Sequence, residues 1–323
     1  MKNIKSTNAL MRYLREKKGV NIEGSKQKNI LLNIGYYHAY KGCRFFNNKN
    51  NPFVFSDFSQ VEAVYNFDSK LKALIYPHIM YIETALKNHT LQNLVEAGQS
   101  DRFTDLFDSC FNAHKDYAFK TQQRDYLLKQ RVKLKAKIFN ELANKCDNRI
   151  ISHFNRKDEQ VPIWAIFEIL TLGDFCFLYE CLNKSLRQRV SKELKINQSL
   201  DSDAYVLFQI IKALKNLRNS IAHNNFIYDN RFNPDKISSR IGKYLQTELG
   251  IANINFNSIT DYIILISYLL KVLKVTKTEI KRFIREYKEA CNYFYQNIKS
   301  LSIYHKVLPP DTMSKLTKLE KNI

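Results

Sequence analysis

Apolar residues recur along most of this chain at intervals of three and four, the spacing that places them on one face of an α-helix. The clearest run lies between Ser59 and Gly98, where Val61, Val64, Phe67, Leu71, Leu74, Ile75, Ile79, Ile82 and Leu86 keep that period. Ser59 and Glu62 read as a capping box at its start, each side chain placed to satisfy a free amide of the first turn. Pro77 lacks an N–H and crowds the preceding turn, so it predicts a kink or a split, and Gly98 closes the run. The same reasoning predicts a helix over 25–40 with Ser25 as its cap, and others over 122–146 and 185–195. Between 161 and 182, Gly173-Asp174 should end one helix and cap the next. Further helices are expected over 201–223, 235–248, 259–275 and 277–302.

Two stretches break the pattern. In 43–58, Phe53 and Phe55 alternate with Val54 and Ser56, which suits a loop or a small β-hairpin. Residues 101–119 are aromatic-rich and irregular, and the chain after Pro309-Pro310 reads as a frayed tail. With only 8 glycines and 6 prolines in 323 residues, the expected fold class is all-α, a helical bundle with additional helices. Composition divides the chain into a basic arm (1–24), a helical domain (25–230) and a basic helical extension (231–323), either separate or packed with the core.

Charge narrows the partners. The chain carries a formal net charge of +20, an excess that repels itself and answers an anionic partner, nucleic acid or an anionic membrane surface. The longest apolar stretch, Tyr262 to Leu270, is far short of the roughly 20 residues that span a bilayer. The first residues show no apolar segment of a secretory signal, so a cytoplasmic protein is expected. Six cysteines without a CxxC pair read as reduced and buried. The histidines at 38, 78, 114, 153 and 305 lack metal-ligand spacing, so neither a metal nor another cofactor is expected.

Residues 120–157 hold eleven Lys and Arg against three Asp and Glu. Lys129, Arg131, Lys133, Lys135 and Lys137 on this helix, with Lys281, Arg282, Arg285 and Lys288 near the C-terminus, are the expected contacts to RNA phosphates. Aromatics mixed with cations, as in "YYHAYKGCRFF", could stack on unpaired bases. In the C-terminal run, Phe283, Tyr287, Cys291 and Phe294 share a face that should pack inward, and Trp164, the sole tryptophan, is also expected in the core.

The densest polar chemistry is "NLRNSIAHNN" at 216–225. It follows an inward-facing row at 206, 207, 210, 211, 214, 217 and 221. Arg218 and His223 are five apart, which separates them by about 140° around a helix. Asn219 and His223, four apart, share a face. Arg218 can therefore meet His223 only around something between them, and a phosphate suits. A histidine near its neutral pKa can exchange a proton with a 2′-hydroxyl or a 5′-oxygen. An arginine can hold the phosphate and offset its growing charge. One motif supplies one such histidine, so a symmetric homodimer would bring two. The plainer reading is a helix end, where cations suit the dipole and asparagine accepts a left-handed cap.

Arg218-Asn219-x-x-x-His223 resembles the R-x4-6-H signature of HEPN-domain ribonucleases, including the polar residue after the arginine. "NIGYYHAYKGCRFF" (33–46), "YNFDSKLKALIYPHIMYIETALKN" (65–88), "VPIWAIFEILTLGDFCFLYECL" (161–182) and "LKNLRNSIAHNNFIY" (214–228) together resemble the Abi-like abortive infection proteins of AbiD/AbiF type, over about two thirds of the chain. The resemblance implies an all-helical HEPN-like fold and a role in phage defence. It also implies action on RNA, by metal-independent cleavage or by binding a structured RNA in a ribonucleoprotein. Arg218 and His223 would be catalytic, with Asn219 supporting them. Glu168, on the block that carries Trp164 and Gly173, would support the same site.

Overall fold

The computed structural model describes residues 5–232 and 237–323, and in them the helical periodicity becomes fifteen α-helices. In chain order these are α1 (Thr7–Lys18), α2 (Gly24–Ile34), α3 (Phe58–Gly98), α4 (Phe103–Ser109) and α5 (Gln122–Asn144). They continue as α6 (Arg149–Asn155), α7 (Ile163–Ile169), α8 (Leu172–Cys181), α9 (Lys184–Glu193) and α10 (Val206–Ala222). The last five are α11 (Ser239–Leu249), α12 (Ile259–Val272), α13 (Lys277–Ile298), α14 (Leu301–Val307) and α15 (Thr312–Asn322). A π-helical turn, Gly35–Lys41, continues α2, so the run expected over 25–40 changes its winding halfway. The expected start of a helix at 235 lies outside the described residues.

The β-hairpin expected near 43–58 does not form, and no strand exists among the described residues. A single antiparallel bridge joins Phe45 to Pro52, with Phe46 N donating to Asn51 O at 2.8 Å and Phe53 N to Arg44 O at 2.9 Å. Pro52 has no N–H to extend a ladder, and Asn47 turns the chain at φ 63°.

Contacts divide the chain into two compact units, Met1–His78 with Asn216–Ile323, and Ile79–Lys215. The described residues of the arm and of the C-terminal extension thus belong to one unit, which also holds the end of α10. In that unit Phe67 stacks on Phe294 at 4.6 Å, and Phe283, Tyr287, Cys291 and Phe294 are buried as their spacing requires. In the other unit the buried face of α5 is Leu127, Leu134 and Ile138. Arg187, only 2% exposed, sits 3.5 Å from Asp116 and bonds the Leu182 carbonyl.

Cap positions depart from the spacing. At α3 the box lies two residues earlier than Ser59 and Glu62: the Asp57 carboxylate accepts from Ser59 N at 2.8 Å, and Gln60 Oε1 accepts from Ser56 N at 2.8 Å. Asp57 takes the cap position, and the fully buried Phe58 opens the first turn. Pro77 lies inside α3 and the helix runs through it. Gly173 and Asp174 sit inside α8, whose capping box is Thr171 with Asp174.

Trp164 is not core: it is 46% exposed, while its neighbours Ile163, Ala165, Ile166 and Phe167 are buried. The inward arc of α7 is filled without it. The tail after Pro310 is not frayed either. It forms α15, with Leu316, Leu319 and Ile323 buried. Lys315 Nζ donates to Asp261 Oδ1 at 3.0 Å and to the Asn253 carbonyl at 2.8 Å, while Asp261 Oδ2 takes the amides of Asn255 (3.1 Å) and Phe256 (2.8 Å). Asp261 is fully buried, so Lys315→Met would strand a charge. The expected loss is about 3–5 kcal/mol, read as a lower urea midpoint at unchanged slope. An unchanged midpoint would mean α15 does not hold Asp261.

Candidate functional site

Helix α10 ends in hydrogen bonds that decide what its last residues do. Asn224 adopts the left-handed conformation at φ 54°. Its amide donates to the Ile221 carbonyl at 3.0 Å, and the Asn225 amide to that of Ser220 at 2.8 Å. This pair of reversed bonds is the Schellman closure, with asparagine in the position glycine more often takes. Arg218 and Asn219 are half-buried, and His223 stands exposed at the helix end. Arg218 Nη1 lies 3.4 Å from Asn219 Oδ1.

The closure also points the Asn224 side chain back into its own unit. Its Oδ1 accepts from Lys72 Nζ at 2.9 Å, and its Nδ2 lies 3.4 Å from His38 Nε2. Because the lysine claims the oxygen, the amide presents its N–H to the ring, and the ring nitrogen must be the acceptor. His38 therefore sits beside His223's chain neighbour as a neutral imidazole whose Nε2 lone pair faces the Asn224 amide. Burial lowers its pKa below the ordinary histidine value and the Lys72 ammonium lowers it further, against the opposing pull of Asp68. The ring stacks on Phe226 at 5.1 Å and meets Tyr65 edge-on at 6.0 Å.

Lys72 is held in turn by Asp68 at 2.7 Å. Asp68 is 1% exposed and its Oδ1 accepts from the amides of Ile227 (2.7 Å) and Tyr228 (3.0 Å). The loop beyond is clamped by Arg231, whose guanidinium donates to the Gly42 and Phe45 carbonyls, each at 2.6 Å, and to the Asp229 carboxylate. Gly42 is required there: a Cβ would approach the Phe226 ring to 2.3 Å.

Sequence reasoning found Arg218, Asn219 and His223 and missed His38, Lys72, Asp68 and Asn224. A signal was present, since Tyr65, Asp68 and Lys72 are spaced i, i+3, i+7 and so share a face of α3. Glu168 is exposed on α7, on the face of Trp164 four residues earlier.

The expected phosphate contacts divide by what already occupies them. On α5, Lys129 and Lys133 are exposed, and Lys135, also exposed, lies 5.3 Å from the Phe107 ring centre. Arg131 instead ties α5 to α4, donating to the Phe111 and Phe107 carbonyls and to Asp108. Lys137 pairs with Asp174 at 2.7 Å. On α13, Lys281 is exposed. Arg282 and Arg285 approach Glu286 and Glu289 at 3.9 and 3.8 Å, and Lys288 pairs with Glu320 at 2.7 Å. Among the described residues no three His, Cys, Asp or Glu gather as a metal site, and no helix is long and apolar enough to cross a membrane.

A depressed histidine pKa costs stability in acid: the unfolded chain protonates at the ordinary value of about 6.5 and the folded one resists. The His38 contribution is thus present above that pH and is lost as pH falls toward the folded value. Asn224→Asp would replace the amide by a carboxylate that favours imidazolium. The His38 ring resonances should then titrate about one pH unit higher by NMR, and an unmoved titration would show that Asn224 does not face the ring in solution.

Residues 29–229 match the family model described as Abi-like protein. That span runs from α2 through the site loop. No curated protein and no solved structure matches the chain.

Proposed function

We propose that this chain, which belongs to the Abi-like protein family, is an endoribonuclease working at the end of α10. Family membership implies abortive infection, a form of phage defence; cleavage of RNA is the reading the site geometry supports best. The observation that carries it is the amide relay, in which Lys72 fixes Asn224, the residue after His223, and Asn224 faces an unprotonated His38 Nε2. In this reading the RNA 2′-hydroxyl displaces the Asn224 amide from His38 Nε2, which takes the hydroxyl proton as the O2′–phosphorus bond forms. Arg218 holds the non-bridging oxygens as charge grows on them, supported by Asn219. His223 delivers a proton to the departing 5′-oxygen as the phosphorus–O5′ bond breaks, leaving a 2′,3′-cyclic phosphate and a 5′-hydroxyl.

The outward lysines Lys129, Lys133 and Lys135, with Lys281, Arg282 and Arg285, would neutralise RNA phosphates. A homodimer belongs to the same proposal, setting two α10 ends side by side, although His38 supplies a second proton-handling group within one chain. The net charge of +20 also supports a second reading, a non-catalytic protein holding a structured RNA. Sequencing the RNA that co-purifies separates the two, since a cutter yields heterogeneous fragments and a scaffold one discrete species.

Purified protein should cleave RNA in the presence of EDTA and leave cyclic phosphate ends. His223→Ala and Arg218→Ala should each lower the rate by about 10²-fold or more. Asn224→Asp should shift the acidic limb of the pH–rate profile to higher pH, because its base would be protonated sooner. Undiminished cleavage by either alanine variant removes the assignment.

A further inference from the structure

We infer that Trp164 and the cations flanking α6, Arg149 at its start with Arg156 and Lys157 just after its end, form a stacking site for an unpaired nucleotide of single-stranded RNA. The starting observation is that the sole tryptophan is 46% exposed on a helix whose neighbouring positions are buried. A large apolar ring left in solvent, without a core role, marks a contact surface. Trp164 packs edge-to-face on Phe154 at 5.6 Å, and Phe154 meets His153 edge-to-face at 5.3 Å. The indole thus rests on one aromatic neighbour and stays half exposed.

The indole borders an open hollow of about 720 Å³ lined also by Asn148, Arg149, Ile150, His153 and Phe154. That size accommodates a base with its sugar, within the range of small-ligand sites. A second hollow of about 620 Å³ shares Arg149 and His153 and adds Arg156 and Lys157. Aromatic and cationic walls therefore adjoin, the pairing that binds unpaired strands: the ring stacks on a base and the cations follow the backbone. Arg149, Arg156 and Lys157 are exposed, and no ion pair to them occurs among the described residues, in contrast to Arg131 and Lys137 of α5. Carboxylates are near as well: Asp147 in the second hollow, Asp158 and Glu159 directly after Lys157 in the chain, and Glu168 on the Trp164 face. They disfavour a polyanion packed against every side and suit a strand that offers one stacked base and a phosphate at Arg149.

Duplex RNA is a poor occupant, because its bases are already stacked on one another. An acidic peptide would use the cations and leave the indole idle. The inference rests on the reading of RNA as the substrate class, and it is independent of whether the α10 end cuts.

Because Trp164 is the only tryptophan, its emission reports on this site alone. The full chain carrying His223→Ala, to prevent cleavage, would be titrated with single-stranded oligoadenylate, a duplex RNA of equal length, and polyglutamate. Oligoadenylate should quench the emission and the other two should not. Arg149→Ala with Lys157→Ala keeps the reporter and should weaken the quenching midpoint about tenfold, the scale set by two lost phosphate contacts. Binding of fluorescently labelled oligoadenylate without a change in tryptophan emission would overturn the site, as would no binding or equal quenching by polyglutamate or duplex. Persistent quenching alongside intact cleavage by His223→Ala sinks only the catalytic assignment. Intact catalysis with silent emission sinks only this one.

Discussion

The buried carboxylate of Asp68 is the interaction on which the candidate site depends. It accepts the amides of Ile227 and Tyr228 and faces Lys72, so one side chain fixes both the loop after α10 and the cation that orients Asn224. An ionised group with 1% exposure is tolerable only where its lone pairs are met. Burial pushes its pKa up in spite of those partners, with Lys72 the largest opposing influence. Removing this carboxylate would release the loop, the lysine and the asparagine together. Arg231, joined to Asp229 and to carbonyls of Gly42 and Phe45, performs the neighbouring task for the second half of the loop.

The end of α10 is closed by its own backbone, and the closure has a side-chain consequence. The Schellman closure is an ordinary way to satisfy the last carbonyls of α10. Because the left-handed position is filled by asparagine instead of glycine, the closure also aims an amide at His38 and Lys72. A terminus that solves a backbone problem here places side-chain chemistry as well.

The surplus of positive charge is smaller at the surface than the sequence count suggests. Arg131, Arg187 and Lys315 serve as internal ties to carbonyls and carboxylates, and Lys137 and Lys288 are paired. Cations with long stems can bury their methylenes and still reach a partner, so a count of Lys and Arg on a helix does not say which of them meet solvent. What separates Lys129 from Arg131, two residues along the same helix, is the presence of α4 beneath one of them.

The sequence by itself determined the helices and the content of the α10 motif. Period 3.6 is a local property, and the inward faces at 206–217 and 283–294 followed from it. The residues of "NLRNSIAHNN" are neighbours in the chain, so their grouping needed no tertiary information. Some expectations failed where a residue's type stood in for its surroundings: Phe53 and Phe55 formed no strand, Trp164 was left outside, and the chain after Pro310 packed as α15. Periodicity says which residues turn inward together, not what they meet. Only the tertiary structure could bring His38, Lys72 and Asn224 into one relay, strand or pair each lysine, and leave an indole open, because those outcomes depend on which faces come into contact across tens to hundreds of residues.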